Sequence, residues 1–511
     1  MLDLTRTYPA PLTLLTLPLL AALTGACGDD GSYGGDYDAG YGEDSAPNES
    51  QGEQGDPEDP EGPNDDPGDP EPVDPDTCDA KTPVTLYLSP DDSNSTSSPV
   101  QVRDAVLGAT GGAGGVPIRT WEFLNYYTFP YPAAERGALA VKPEIAQLDG
   151  MPAGQYLVQL GIASESMPNL DRPLMNITLV LDESGSMDGH PMDMQRAVCR
   201  AIAASLRAGD VVSMVGWDTS NAIKLAAHTV TGPADPTVVG ECDALAAGGG
   251  TDLHGGLSAG YDLAHQQFDP ARINRVVLVS DGGANAGVTD TDIIAAGAGG
   301  QDEDGIYLVG VGVGTNNTYN DALMDAVTDV GRGASLFIPS QQEADKMFGA
   351  RFVQTMAVAA RDVRVRLEMP PGFEIVRFSG EEYSDNAADI EPQHLAPDDA
   401  MVFHQTVETC APELVDADAT FGFTVQWKDA ITREQRSIEV SKKIQELTAE
   451  ESPMLRKGAA VFAYAEALKA WQQNPSSSVL TPAFDALTRA EATLGGDPDL
   501  AEIRAILEAL R

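Results

Sequence analysis

Oxygen-bearing side chains gather in three short segments of the central chain. The first is Asp182-Glu-Ser184-Gly-Ser186, the second is Gly-Gly-Gly-Thr251-Asp, and the third begins at Asp281 and continues with two glycines. These five numbered side chains all offer oxygen, and none offers sulfur or imidazole. Oxygen-only donors favour hard cations such as Mg²⁺, Mn²⁺ or Ca²⁺ over zinc. The sequence therefore predicts a divalent-cation site, with Mg²⁺ as its expected ion.

The charge of this set is low, because only Asp182 and Asp281 carry carboxylates. Two carboxylates balance a divalent ion, and the neutral hydroxyls leave it electrophilic. Mg²⁺ also keeps water molecules when few protein groups bind it. We therefore expect a position that is open to a carboxylate from outside, so that the site would bind an acidic residue of a protein partner.

Parallel strands would bring the three segments together. Short, nearly continuous apolar runs are typical of strands covered on both faces, and here they are Ile177–Leu181, Val211–Trp217, Val276–Ser280, Ile306–Val313 and Leu336–Ile338. Helical faces lie between them, formed by Leu253, Leu257, Ala264 and Phe268 and by Ala322, Ala326 and Val330. This alternation predicts a doubly wound, Rossmann-like α/β domain with its ligand site at the carboxyl ends of the strands.

The flanks of this domain alternate with a period of two, which is typical of antiparallel strands with one wet face. The alternating segments are 84–88, 156–162, 363–369 and 421–427. Because the N-terminal flank has few strands of its own, we expect both flanks to build one β-sandwich into which the α/β domain is inserted. From Ser452 onward the apolar spacing is helical.

Beyond the individual residues, DESGSM, GGGTD and SDGG resemble the metal-ion-dependent adhesion site of von Willebrand factor type A domains. WEFLNYYTFPYP, INRVVLVSDGGANAGVTD and YNDALMDAV look like a bacterial family of exported lipoproteins in which this domain lies between a conserved N-terminal segment and a C-terminal domain of unknown function. The resemblance spans residues 84–511. It implies that Ser184 and Ser186 bind the metal directly, and that Asp182, Thr251 and Asp281 bind it directly or through water.

The N-terminus has the pattern of an export signal. The apolar run 11–26 is too short for a comfortable membrane span and ends in Leu23-Thr-Gly-Ala-Cys27. This ending resembles the lipobox of bacterial lipoproteins, although Thr24 stands where that family has an aliphatic residue. We therefore expect residues 1–26 to be removed and Cys27 to be lipidated. Gly28 gives no clear inner-membrane retention signal, which favours the outer membrane.

Charge excludes one class of partner. The chain has 31 Lys+Arg against 79 Asp+Glu, a formal charge of −48, which would repel a nucleic acid. Residues 28–77 hold 18 acids and no Lys or Arg, together with many Gly and Pro. Such a segment cannot bury apolar surface, so we predict a disordered linker over 27–77.

Four cysteines remain after Cys27, and in an exported protein they could form two disulfides in three possible ways. Cys199 and Cys242 lie within one predicted domain, whereas Cys78 and Cys410 flank it. We favour those two pairs.

These patterns divide the chain into six parts. The predicted parts are a signal peptide over 1–26, the linker over 27–77, a β-containing flank over 78–172, the type A domain over 173–345, a β-rich flank over 346–445 and a helical segment over 446–511. We expect a lipid-anchored envelope protein that binds an acidic residue of a partner. The alternative is an envelope scaffold whose metal is structural.

An enzyme is not expected. The sequence 256–260 matches the hydrolase pattern GxSxG, but Ser258 falls within a helical face rather than on a sharp strand-to-helix turn. The glycines of 310–314 imitate a dinucleotide-binding loop, but they end a late strand instead of opening the first βα unit. A metal-dependent hydrolase is the weakest reading, because only Glu183 stands near the cluster as a general base.

Overall fold

The computed structural model describes residues 78–79, 81–89, 95–108, 112–148, 150–284, 305–315, 318–331, 333–415, 418–450 and 452–511. The predicted signal peptide, the lipidated Cys27 and the acidic linker lie outside these residues. Within them, no helix is long and apolar enough to cross a membrane.

The strands form three sheets. In chain order they are β1 Val84–Ser89, β2 Ala140–Ala146, β3 Gln155–Ala163, β4 Met175–Asp182, β5 Val211–Trp217, β6 Asn221–Thr229, β7 Ile273–Ser280, β8 Ile306–Val313, β9 Ala334–Ile338, β10 Ala360–Met369, β11 Phe373–Phe378, β12 Glu382–Ser384, β13 Gln393–Leu395, β14 Ala400–Thr409, β15 Thr420–Asp429 and β16 Gln435–Lys443.

The helices lie between and after these strands. They are α1 Ser97–Leu107, α2 Thr120–Tyr126, α3 His190–Ser205, α4 Pro236–Ala244, α5 Leu253–Gln266, α6 Asp321–Val330, α7 Gln341–Asp345, α8 Phe352–Met356, α9 Ile444–Thr448, α10 Pro453–Gln473, α11 Thr481–Thr493 and α12 Pro498–Ala509. A π-helix, Lys346–Ala350, joins α7 to α8, and short 3₁₀ helices occupy Gly185–Met187 and Pro412–Leu414.

The central sheet has the strand order β6-β5-β4-β7-β8-β9. Strands β5, β4, β7, β8 and β9 are parallel, whereas β6 pairs antiparallel with β5 at one edge. All eight residues of β4 are buried, as expected for a strand with helices on both faces of its sheet. The predicted doubly wound α/β domain is confirmed.

The two flanks share a β-sandwich. One sheet has the order β12-β1-β10-β15-β16, with β13 also pairing with β10, and the other has the order β11-β14-β3-β2. Each sheet therefore combines strands from before and after the α/β domain. Trp427 is 4% exposed within the core between the sheets, so the alternating aromatic strand β15 contributes to that core. The insertion of the α/β domain between the flanks is confirmed.

The C-terminal helices pack against the N-terminal flank as well as against the sandwich. Phe123 of α2 meets Tyr464 of α10 at a ring-centroid distance of 5.4 Å. Gln472 Nε2 donates to the carbonyl oxygens of Ala113 and Val116, at 2.8 Å and 2.7 Å. Residues before and after the inserted domain therefore share an apolar core with one of its faces.

One sequence expectation is wrong, and the structure adds detail to two others. Helix α5 ends at Gln266, so Phe268 lies beyond the helix and is 38% exposed instead of completing its apolar face. The core of the α/β domain continues past the predicted boundary at residue 345, because Phe348 and Phe352 are buried in it. The N-terminal flank is also partly helical, since α1 and α2 precede its second strand.

Candidate metal centre

Two neighbouring strands present the first and third segments of the candidate site. Strands β4 and β7 are parallel and in register, with Leu181 opposite Val279. The next residue along β4 is Asp182, and Asp281 follows directly after the last residue of β7. The apolar strands therefore end together at one edge of the sheet, and both carboxylates lie at that edge.

Asp182 is fully buried and held on all sides. Its Oδ1 accepts the Ser184 N–H at 2.8 Å, and its Oδ2 accepts the Ser280 hydroxyl at 2.6 Å. Its own backbone is clamped by Gln195, whose Oε1 accepts the Asp182 N–H at 3.1 Å and whose Nε2 donates to the Asp182 carbonyl at 2.7 Å. The carboxylate orientation is therefore fixed before any ligand binds.

The two serines lie next to this carboxylate. Ser184 is buried, and its Oγ lies 3.1 Å from Ser186 Oγ. Ser186 is exposed on the short 3₁₀ helix that follows β4. Gly185 donates its N–H to the Gly249 carbonyl at 3.2 Å, which ties this loop to the loop that carries Thr251. The hydroxyls thus connect the buried carboxylate to the protein surface.

Thr251 and Asp281 complete the set, and both are at most 3% exposed. A methyl group added at Gly283 would lie 3.2 Å from Asp281 Oδ1, 3.6 Å from Thr251 Cγ2 and 3.7 Å from Ser186 Oγ. Side chains from three separate segments therefore surround one small volume. The structure brings together all five residues selected from the sequence.

The electrostatics of this volume favour a cation. Burial raises the pKa of Asp182 to about 6, and the nearby charge of Asp281 raises it further, whereas hydrogen bonds from Ser184 and Ser280 oppose the rise. A positive ion between the carboxylates would remove this penalty. Two carboxylate and three hydroxyl side chains match the oxygen ligands of Mg²⁺ and Ca²⁺. The residues therefore fit a hard divalent ion.

Across the described ranges, no group of three or more His, Cys, Asp or Glu side chains could hold a metal ion. Glu183 does not serve the cluster as a free carboxylate either, since it pairs with Lys224 at 2.7 Å and accepts the Ala246 N–H at 3.2 Å. Glu183 is therefore an ion-pair partner of Lys224.

Two residues that orient Asp182 were missed in the sequence. Ser280 is the last residue of β7, and Gln195 lies on α3. The position of Ser280 directly before Asp281 was a usable signal, because a small hydroxyl residue at a strand end can reach the neighbouring strand. Nothing local marks Gln195, since its contact depends on how α3 packs on the sheet.

The two motif decoys have structural explanations. Ser258 lies in the middle of α5 and is exposed, so it is not on a nucleophile turn. Gly310 and Gly312 lie inside β8, where an added Cβ would meet Thr328 and Tyr319 at 2.2 Å. These glycines therefore make room for the helix that packs on the strand.

The cysteines form two disulfides in the structure. Cys199 on α3 bonds to Cys242 on α4, and Cys78 bonds to Cys410 across 332 residues of sequence. The second bond joins the beginning of the described N-terminal flank to the C-terminal flank. Cys27 lies outside the described residues.

The fold of the central domain is that of a von Willebrand factor type A domain. The family model described by that name matches residues 177–284, which include all five site residues. The chain therefore contains a von Willebrand factor type A domain, and bacterial proteins are similar to it.

Two curated bacterial relatives are similar to this chain. Uncharacterized protein YfbK of Escherichia coli (strain K12) is 27% identical over 271 residues, which are 50% of this chain and 45% of the relative. Uncharacterized protein sll0103 of Synechocystis is 24% identical over 222 residues, which are 43% of this chain and 51% of the relative. The matched regions thus span about half the length of each relative.

Among solved structures, a von Willebrand factor type A protein from Catenulispora acidiphila is similar to this chain. It has 15% sequence identity and a TM-score of 0.46, and the match covers 70% of this chain and 87% of that one.

Proposed function

We propose that this protein is a lipid-anchored envelope protein that binds an acidic residue of a partner protein through a divalent ion held by its type A domain. The observation that carries the proposal is the cluster of two carboxylates and three hydroxyls. Asp182, Thr251 and Asp281 are buried, whereas Ser186 is exposed. The cluster is therefore shielded from solvent at Asp182, Thr251 and Asp281, and it is open to solvent at Ser186.

The division of charge supports a binding role. When bound, the ion supplies a positive centre that attracts a carboxylate. Asp182 and Asp281 offer two negative charges, and the hydroxyls of Ser184, Ser186 and Thr251 offer none. The two carboxylates neutralise the bound ion without adding surplus negative charge. The ligands of the ion therefore do not repel an anionic group from a partner.

The same local geometry favours binding over hydrolysis. Glu183 is the only general base that the sequence placed beside the cluster, and it is engaged by Lys224 at 2.7 Å. General-base catalysis needs a group that is within reach of the attacking water and able to accept its proton. We therefore propose a binding module rather than an enzyme.

The first test measures metal binding by isothermal titration of full-length protein with Mg²⁺ and Mn²⁺. Asp182→Ala and Ser184→Ala should each weaken binding at least tenfold, because they remove direct or adjacent oxygen ligands. Ser258→Ala is the matched control, since Ser258 is an exposed serine in the middle of α5. Equal binding by all four proteins would refute the metal site.

The second test asks whether a carboxylate reaches the ion. With Mn²⁺ bound, a glutamate-containing peptide should lower the water-proton relaxation enhancement by displacing bound water, and the matching glutamine peptide should not. Loss of this effect in Asp182→Ala would show that the peptide carboxylate binds the ion in this cluster. If EDTA lowers the melting temperature while neither peptide has any effect, the metal is structural and the scaffold alternative replaces the binding role.

The anchor has its own test. The proposed lipid on Cys27 would hold the protein to the membrane after export. Cys27→Ser should move the exported protein from the membrane fraction to the soluble fraction and abolish incorporation of a radiolabelled fatty acid. Retention of both properties by the variant would exclude lipidation at this position.

A further inference from the structure

Asp321, a buried carboxylate of the α/β domain, is bound by side chains of the N-terminal flank. Asp321 is the first residue of α6 and is 7% exposed. Its Oδ1 accepts Ser97 Oγ at 3.0 Å and Gln101 Nε2 at 2.6 Å. Its Oδ2 accepts a guanidinium N–H of Arg119 at 2.6 Å. These three donors belong to α1 and the turn before α2, outside the α/β domain.

The residue before Asp321 contacts the metal-site loop. Asn320 donates its backbone N–H to the Asp281 carbonyl at 2.9 Å. Gly282 has a φ of 79°, and a Cβ at this position would lie 2.6 Å from the Asn320 carbonyl oxygen. The loop therefore packs directly on the backbone at the beginning of α6, and its glycine is required by both conformation and space.

Arg119 anchors this arrangement from the flank side. Its guanidinium also pairs with Asp325, one turn along α6, at 2.9 Å, and lies 3.5 Å from the fully buried Glu122. Nearby, Thr96 donates its backbone N–H to the Ser335 carbonyl of β9 at 2.9 Å. The flank thus contacts both α6 and the edge strand β9 of the central sheet.

We infer that Arg119 and Asp321 are positioning residues of the metal centre, through which the N-terminal flank sets the position of Asp281. The inference rests on the proposed metal site and adds a part of the chain outside the type A domain to it. Asn320 and Asp321 are consecutive. A displacement of Asp321 would therefore move the Asn320 N–H, which donates to the Asp281 carbonyl. Groups that hold a metal ligand from behind influence affinity without touching the ion.

A neighbouring ion pair provides a matched control. Arg103 on α1 pairs with Glu343 of α7 at 2.6 Å, so it also joins the N-terminal flank to the α/β domain. In the described contacts it reaches α7 rather than α6. Arg119→Gln and Arg103→Gln each remove one arginine from the same interface, but only the first removes one of the three donors to Asp321.

The test titrates full-length variants with Mn²⁺. Arg119→Gln should weaken Mn²⁺ binding about tenfold, the lower end of the effect known for groups behind a metal ligand. Arg103→Gln should stay within about twofold of the parent on the same comparison. Arg119→Lys should fall between, because lysine keeps the charge but not the planar fork. Equal affinities for Arg119→Gln and the parent, or equal losses in Arg119→Gln and Arg103→Gln, would overturn the inference.

A metal-free measurement separates this inference from the proposed function. In hydrogen exchange followed by mass spectrometry, the peptide containing Asn320 should exchange faster in Arg119→Gln than in the parent. Its exchange rate in Arg103→Gln should equal that of the parent. Ser97→Ala, a smaller change, should shift exchange in the same direction if Arg119→Gln does not fold. If the parent binds no Mn²⁺, the metal site fails while exchange still tests the coupling, and unchanged exchange refutes the coupling.

Discussion

The side chain and backbone of Asp182 are oriented by two buried residues, Ser280 and Gln195. Ser280 donates to its Oδ2 at 2.6 Å and in turn accepts the Gly282 N–H at 2.9 Å. The serine hydroxyl therefore links the carboxylate of one strand to the turn that follows the next strand. A carboxylate fixed in this way loses little conformational entropy when it binds an ion.

Removing this hydroxyl should weaken metal binding without unfolding the domain. We expect Ser280→Ala to reduce Mg²⁺ affinity about tenfold, because Asp182 loses the hydrogen bond that holds its Oδ2. Titration calorimetry measures the change. Ser213→Ala is the control, since Ser213 is a buried serine in β5, on the far side of β4 from β7, and accepts the Ala227 N–H at 3.1 Å. Similar affinity losses in both variants would contradict the assigned role of Ser280.

The candidate ligands were predictable from the sequence because their chemistry is carried by side-chain type and by position at strand ends. Asp182 and Asp281 each follow an apolar run, so their convergence needed only the assumption of adjacent parallel strands. Gln195 was not predictable, since its contact with Asp182 depends on the docking of α3. Arg119 and Asp321 were hidden for the same reason, as they come from parts of the chain about 200 residues apart.

At the scale of the elements, burial on two faces made the parallel strands recognisable. Every residue of β7 after the first is buried, which gives an apolar run. The edge strand β6 was missed because all nine of its residues are exposed or half-buried, and its sequence NAIKLAAHT has no long apolar run. Helices α1 and α2 were missed because they bury serine, glutamine, glutamate and asparagine as well as apolar residues.

The disulfide between α3 and α4 should stabilise the α/β domain. Cys199 and Cys242 are 43 residues apart and at most 1% exposed. Replacing both by alanine should lower the free energy of unfolding by about 2–4 kcal/mol, because the unfolded chain loses a cross-link. Urea denaturation under oxidising conditions measures the difference. Reducing agent should remove most of the gap between the parent and the double variant, and an unchanged gap would argue against the bond.

At the scale of the whole molecule, the sandwich and the C-terminal helices meet at a buried histidine. His404 of β14 is 1% exposed, and its Nδ1 lies 2.9 Å from Gln159 Oε1. Its ring centroid is 5.8 Å from that of Phe462 on α10. Burial lowers the pKa of His404 to about 3, and the charge of Arg377 lowers it further. The histidine is therefore neutral in the folded protein at neutral pH.

This depressed pKa predicts a specific loss of stability in acid. The unfolded histidine has a pKa of about 6.5, so its contribution is complete above that pH and is lost as the pH falls towards 3. Thermal unfolding of the parent and of His404→Gln should show the largest gap at pH 7.5. The gap should narrow by about 1.4 kcal/mol per pH unit below 6.5. A constant gap between pH 7.5 and 4.5 would show that the pKa of His404 is the same in the folded and the unfolded protein, which would contradict the lowered pKa.

The most direct test of the metal centre is an anomalous diffraction map from crystals grown with Mn²⁺ and a glutamate-containing peptide. We predict one manganese peak within ligand distance of oxygens from Asp182, Ser184 and Ser186, with Thr251 and Asp281 bound directly or through water. A peptide carboxylate should occupy a remaining position. A map with no manganese in this cluster, from crystals grown with Mn²⁺ in large excess over protein, would contradict the account.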